Sequence, residues 1–159
     1  MLSTEPGSAS RRFFYSAIFW LIVPGMMGLI LATLLYVPAI YDPLPLAIKP
    51  YLSFGRLRPT HVNLMIFGWL SQAYVGGILF ILPRITRTKL FSERLAHLNW
   101  WLWNLMMLGA LITLPLGLTQ GREYAEMIWP LDLLLITNWV LLAINIWGTF
   151  ARREEPKVY

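Results

Sequence analysis

The segment FFYSAIFWLIVPGMMGLILATLLYVPAI, residues 13–40, contains no charged side chain. Crossing the hydrocarbon core of a bilayer takes about 20 residues of helix, and this run exceeds that length. Three further runs reach it: 61–83 (HVNLMIFGWLSQAYVGGILFILP), about 95–118, and about 130–151 (PLDLLLITNWVLLAINIWGTFA). Lipid offers the backbone no hydrogen-bond partner, so a lone apolar run of this length has to satisfy itself as a helix. A secretory signal has a far shorter apolar region followed by a small-residue cleavage site, so the first run is expected to remain as a helix. The fold class that follows is all-α: a polytopic membrane protein with four transmembrane helices, in one transmembrane domain spanning 1–159.

Composition agrees. Hydrophobic residues make up 57% of the chain, against roughly half in an ordinary soluble domain. Eight Trp, seven Tyr and eight Phe suit anchoring at two membrane interfaces. There is no cysteine, which excludes disulfides and thiolate metal sites. The net charge of +5 forms no basic stripe along any helix; the cations fall between the apolar runs, so membrane lipid rather than nucleic acid is the expected partner. With four crossings, Arg11, Arg12, Arg84, Arg87, Lys89, Arg94, Arg152, Arg153 and Lys157 share one side, opposite Lys49, Arg56, Arg58 and Arg122. Nine cations against four place both termini in the cytoplasm.

Prolines 43, 45 and 50 break the chain into an outer loop. Pro59 suits a first helical turn, while Pro24 and Pro115 are expected to kink spans. Gln72, Asn104 and Asn138 are hard to hide in four helices, and point to further helices or a bound group. Asp132 is close enough to the outer end of the fourth run to reach water. Trp100, Trp101 and Trp103 read as interface anchors and packing.

The stretch FGRLRPTHVN, residues 54–63, sets Arg56, Arg58 and His61 at the outer mouth of the second span. A lone interfacial histidine is ordinarily inert. Here, on a regular helix, its face would also carry Leu64, Met65, Gly68, Gln72 and Gly76. Small residues such as Gly68 would let a flat macrocycle lie against the backbone, or would permit close helix packing. Arg58, three residues earlier, can share that face, and a guanidinium pairs bidentately with carboxylates such as haem propionates. The loop GREYAE brings Glu123 and Glu126 to the same side, either as ligands of a hard cation such as calcium or as solvated loop charges, the second reading being favoured for Glu126. The residues thus reach a haem site in the outer half of a helical bundle, with a neutral imidazole as axial ligand. His97 lies at the opposite end and cannot ligate the same iron.

FGRLRPTHVNLMIFGW followed by GLTQGREYAEMIWPLDLL resembles the N-terminal part of subunit I of cbb3-type cytochrome c oxidases, members of the haem–copper oxidase superfamily that includes the NO reductases. The resemblance runs from about Phe54 to the end of the chain. It implies that His61 is an axial ligand of low-spin haem b, that Arg58 meets the haem propionates, and that Glu123 binds a calcium bridging propionates of two haems. It implies no definite role for Arg56 or Glu126. The fold implied is part of a twelve-helix bundle in a multi-pass protein of the bacterial inner membrane. The second low-spin ligand, the high-spin haem and the active-site copper would come from later helices, which makes this sequence a truncated subunit I or one piece of a split one. Its partners would then be the remaining helices or a second chain, together with c-type cytochrome subunits. The function implied is electron relay, in a complex that reduces oxygen to water with proton translocation. The alternatives are a segment of an NO reductase-like large subunit and a haem-free small membrane scaffold protein.

Overall fold

A computed structural model of the chain describes residues 5–154, so Lys157 and the rest of the tail after Glu154 lie outside the described residues. Helix α1 is Ser8–Tyr36, followed by a 3-10 turn at Pro38–Tyr41. A second long helix, Phe54–Ile85, consists of α2 (Phe54–Asn63), a π-helical segment (Leu64–Leu70) and α3 (Ser71–Ile85). Helices α4 (Glu93–Thr113) and α5 (Trp129–Ala151) complete the described chain.

The ends of these helices follow from local chemistry. Pro38 has no N–H with which to extend α1, which stops at Tyr36 rather than at residue 40. The second helix starts at Phe54, well before His61, so Pro59 falls inside it instead of in a first turn. Pro115 lies in the turn beyond α4, which ends at Thr113, and so kinks no helix. Pro24 is inside α1. Helix α4 begins with Ser92, whose Oγ accepts from the Leu95 N–H at 3.1 Å. Helix α1 has no side-chain cap of its own. The Glu93 carboxylate, from the start of α4, accepts from the Gly7 N–H at 2.6 Å and the Ala9 N–H at 3.3 Å, joining the two helix N-termini.

Among the described residues, three helices are long and apolar enough to cross a membrane: α1, Phe54–Ile85 and α5. Helix α4 falls short on hydropathy because His97, Asn99, Asn104 and two terminal charges interrupt it. Its Trp103, Met106, Met107 and Ala110 are fully buried, so this least apolar of the four long helices supplies much of the core. The outer faces stay apolar: Tyr15, Leu29 and Trp147 are each at least 70% exposed, as expected of surfaces meant for lipid or further helices.

Contact between α1 and the second helix depends on missing side chains. A β-carbon at Gly68 would lie 3.0 Å from Trp20 Cβ, and one at Gly76 would lie 3.3 Å from Phe13 Cβ. The α3–α4 turn is locked onto the end of α5: Asn145 bonds both the N–H and the C=O of Ser92, and Thr149 Oγ1 accepts from the Phe91 N–H at 2.9 Å. Phe91 fills the notch at Gly148, where a β-carbon would come within 2.4 Å of its ring.

Replacing Gly148 with Val should therefore displace Phe91 and destabilise the helical assembly by about 1–3 kcal/mol, the usual cost of overpacking. A lowered denaturation midpoint in detergent is expected; an unchanged midpoint would show that the notch is not tight.

Candidate functional site

His61 lies in the last turn of α2, half-buried against α1. Its Nδ1 is 2.7 Å from the carbonyl oxygen of Pro24. A carbonyl only accepts, so Nδ1 carries a proton, and in the neutral ring the lone pair is then on Nε2. Nε2 has no hydrogen-bond partner among the described residues. This is the arrangement of metal-binding imidazoles generally: the second ring nitrogen donates to an oxygen, which fixes the tautomer and raises ligand basicity. The ring fits because residue 28 is glycine; a β-carbon there would lie 2.8 Å from Cε1.

The face predicted to meet a macrocycle is turned toward α1. His61 meets Pro24 and Gly28, Gly68 meets Trp20 and Met107, Gln72 meets Ser16, and Gly76 meets Phe13 and Phe14. Close helix packing, the other sequence reading of Gly68, describes its contacts.

Arg58 and Glu123 are brought together, with Nη1 and Oε1 3.6 Å apart. Their side chains are 47% and 64% exposed, and an ion pair that open to water contributes about 0–1 kcal/mol. Both groups therefore remain free to take other partners at little cost. The neighbouring Tyr124 has φ 61°, an uncommon backbone conformation for an aromatic residue. Arg56 turns away from this pair: it donates to the Pro115 carbonyl at 3.2 Å, lies over the Tyr51 ring and rests against Gly117, whose φ is +82°.

Glu126 overturns the expectation of a solvated loop charge. It is only 7% exposed, and its Oε2 accepts from Asn63 Nδ2 at 2.8 Å. The loop is folded back over it, with the Glu126 carbonyl accepting from the Gln120 N–H and the Thr119 hydroxyl. Asn63 Oδ1 is buried without a partner. Asn63 was missed in the sequence, although an amide inside an uncharged run is itself a signal. Asp132, half-buried in the first turn of α5, accepts from Gln120 Nε2 at 2.6 Å, so the loop also holds it. Among the described residues, no three His, Asp or Glu side chains are grouped so as to hold a metal ion. For calcium the site offers the Glu123 carboxylate, with Glu126 turned inward onto Asn63.

At the opposite end, His97 is fully buried, with Nε2 2.9 Å from Ser8 Oγ. The polar residues expected to seek other helices find partners here. Ser16, Gln72, Asn104 and Trp20 form one hydrogen-bonded chain, and Asn99 Nδ2 donates to the carbonyl and side chain of Asn138. Gln72 Nε2, Asn99 Oδ1 and Asn138 Nδ2 remain buried and unpartnered. Trp103 is core, its indole N–H donating to the Phe67 carbonyl, and Trp100 donates to the Arg12 carbonyl. Trp101 is 56% exposed.

Long apolar helices around an oriented imidazole define an all-helical membrane protein with one candidate metal-ligating histidine at its Arg58-bearing end. Residues 8–159 match the family of cytochrome c and quinol oxidase polypeptide I, and the chain belongs to that family. It is 38% identical over 149 residues to the cbb3-type cytochrome c oxidase subunit CcoN1 of Stutzerimonas stutzeri, covering 94% of this chain and 30% of that protein. It is 35% identical to a cytochrome c oxidase subunit 1 homolog of Agrobacterium tumefaciens (strain T37), covering 90% and 25%, and 34% identical to cytochrome c oxidase subunit 1 of Rhodobacter capsulatus, covering 89% and 26%. The chain thus spans between a quarter and a third of the length of these relatives.

Asn63→Ala removes the one side-chain donor that the described residues give the buried Glu126 carboxyl. Leaving such a group unsatisfied costs about 1–3 kcal/mol, so the denaturation midpoint in detergent should fall. An unaltered midpoint would mean that Glu126 finds another donor.

Proposed function

We propose that this chain is the segment of a terminal respiratory oxidase's catalytic subunit that holds low-spin haem b and relays electrons through it. The observation that carries the reading is the state of His61, an imidazole with Nδ1–H on a backbone carbonyl and a free lone pair on Nε2. A bound haem supplies a one-electron carrier whose potential is set partly by its axial ligand. The chain's residues do the rest. His61 Nε2 would hold the iron, α1 keeps the ring in place, and Arg58, only loosely paired with Glu123, would pair with a propionate. Glu123 would contribute a carboxylate oxygen to calcium, a hard cation bound by oxygen ligands. Gly68 serves the site indirectly, by letting Trp20 pack beneath it.

In this reading α4 also crosses the bilayer, giving four spans with both termini cytoplasmic. The two ends of the bundle support this. Arg11, Arg12, Arg84, Arg87, Lys89, Arg94, Arg152 and Arg153 belong to the end where Glu93 meets Gly7 and Phe91 meets Thr149; Arg56, Arg58 and Arg122 belong to the other. The spans form part of a twelve-helix bundle in the bacterial inner membrane, completed by later helices or a second chain. Those parts supply the second axial ligand, the high-spin haem and the copper. Electrons come from c-type cytochrome subunits, and oxygen is reduced to water with proton translocation. The names of the relatives support the oxidase reading over an NO reductase.

His61→Ala in the assembled complex should remove haem b, counted by the pyridine haemochrome method. Equal haem b in variant and wild type would overturn the assignment and favour a haem-free scaffold. Glu123→Ala should lower the calcium content of the complex and alter the haem b visible spectrum. Full calcium occupancy in that variant would remove Glu123 from the site.

A further inference from the structure

Gly28 and Pro24 are on α1, outside the motif that carries His61, yet both touch its ring. The Pro24 carbonyl holds Nδ1 at 2.7 Å. A β-carbon at position 28 would lie 2.8 Å from Cε1, 3.2 Å from Nδ1 and 3.5 Å from Nε2, so the ring lies flat across the space that a side chain would fill. Contacts at 2.8 Å are too short for any real β-carbon, and the ring would have to move. The neighbouring crossing is reciprocal: on α1 Gly28 receives a side chain of the second helix, and on the second helix Gly68 receives Trp20 of α1. Backing the ring away would lengthen the bond to Pro24.

We infer that Gly28 and the Pro24 carbonyl are positioning elements that set the orientation and donor strength of the His61 imidazole, and through it the potential of the iron it binds. This rests on the haem reading above. A hydrogen bond from Nδ1–H to a carbonyl increases electron density at Nε2, which makes the imidazole the stronger donor and favours ferric iron. Weakening that bond therefore raises the reduction potential. An added β-carbon at position 28 would lie closer to Nδ1, at 3.2 Å, than to Nε2, at 3.5 Å, so it presses first on the hydrogen-bonded side of the ring.

The test uses the complete complex carrying Gly28→Ala, with Gly109→Ala as a matched control. At Gly109 an added β-carbon would meet Leu131 at 2.7 Å, between α4 and α5 and away from His61. Redox titration and EPR of the low-spin ferric haem b are the readouts. The expected result is haem b retained, a raised midpoint potential and shifted g-values in Gly28→Ala, with Gly109→Ala like wild type. Unshifted potential and g-values in a haem-containing Gly28→Ala complex would overturn the inference, as would equal shifts in both variants. Should Gly28→Ala fail to assemble, pulsed EPR on unaltered complex with 15N-labelled histidine decides. A remote ring nitrogen in a strong hydrogen bond is expected, and only free N–H signatures would overturn the proposal. Loss of the haem reading looks different: there, His61→Ala keeps its haem b.

Discussion

The approach of α1 to the helix Phe54–Ile85 is the contact on which the site depends, and it is made by absent atoms. Between membrane helices no difference in hydrophobicity drives association, so close packing has to do it. Gly28, Gly68 and Gly76 each leave room for a ring from the facing helix: His61, Trp20 and Phe13 with Phe14 respectively. The same register that seats Trp20 over Gly68 brings the Pro24 carbonyl to His61. Helix packing and the orientation of the imidazole are here one geometrical condition.

Polar groups inside the bundle fix that register more sharply than apolar rings could. Ser16, Gln72, Asn104 and Trp20 connect α1, α3 and α4, and Asn99 with Asn138 connects α4 to α5. Interhelical hydrogen bonds in membranes contribute about 0.6 kcal/mol each, so their stabilisation is modest. Sliding a helix past its neighbour would break several at once and strand buried amides. That makes them devices of specificity, and it explains why the least apolar of the four long helices, α4, is central in the core.

Helices were legible because lipid leaves an uncharged run little choice. Ends were less so. Pro38 stopped α1 early and Phe54 started the next helix early, since a helix extends beyond its apolar part wherever turns can be satisfied, as the Thr60 hydroxyl does on the Arg56 carbonyl. Within the site, His61, Arg58 and Glu123 were visible as chemistry-bearing residues in two short motifs. Pro24 and Gly28 were not, because their contributions are a backbone oxygen and an empty volume, which no residue type announces. Glu126 was misjudged for a related reason: its burial comes from Asn63, distant in sequence, and from a loop that folds back through Gln120 and Thr119.

The two ends of the bundle are finished differently. Where the termini of α1 and α4 meet, Glu93, Ser92, Asn145 and Thr149 satisfy backbone groups that helix ends would otherwise leave open. Around His61 the regularity of the helix is broken instead. Pro59 interrupts its bonding two residues before His61, and a π-helical turn from Leu64 begins three residues after it. Asn63 Oδ1 and His61 Nε2 stay without partners, and Arg58 with Glu123 forms only an exposed, long ion pair. Proteins tolerate such local departures chiefly where a function requires them, and π-turns inside α-helices are frequent at such places. Unspent hydrogen-bonding and ligating capacity collects at this end because the remainder of the fold, held by α1, keeps it aimed.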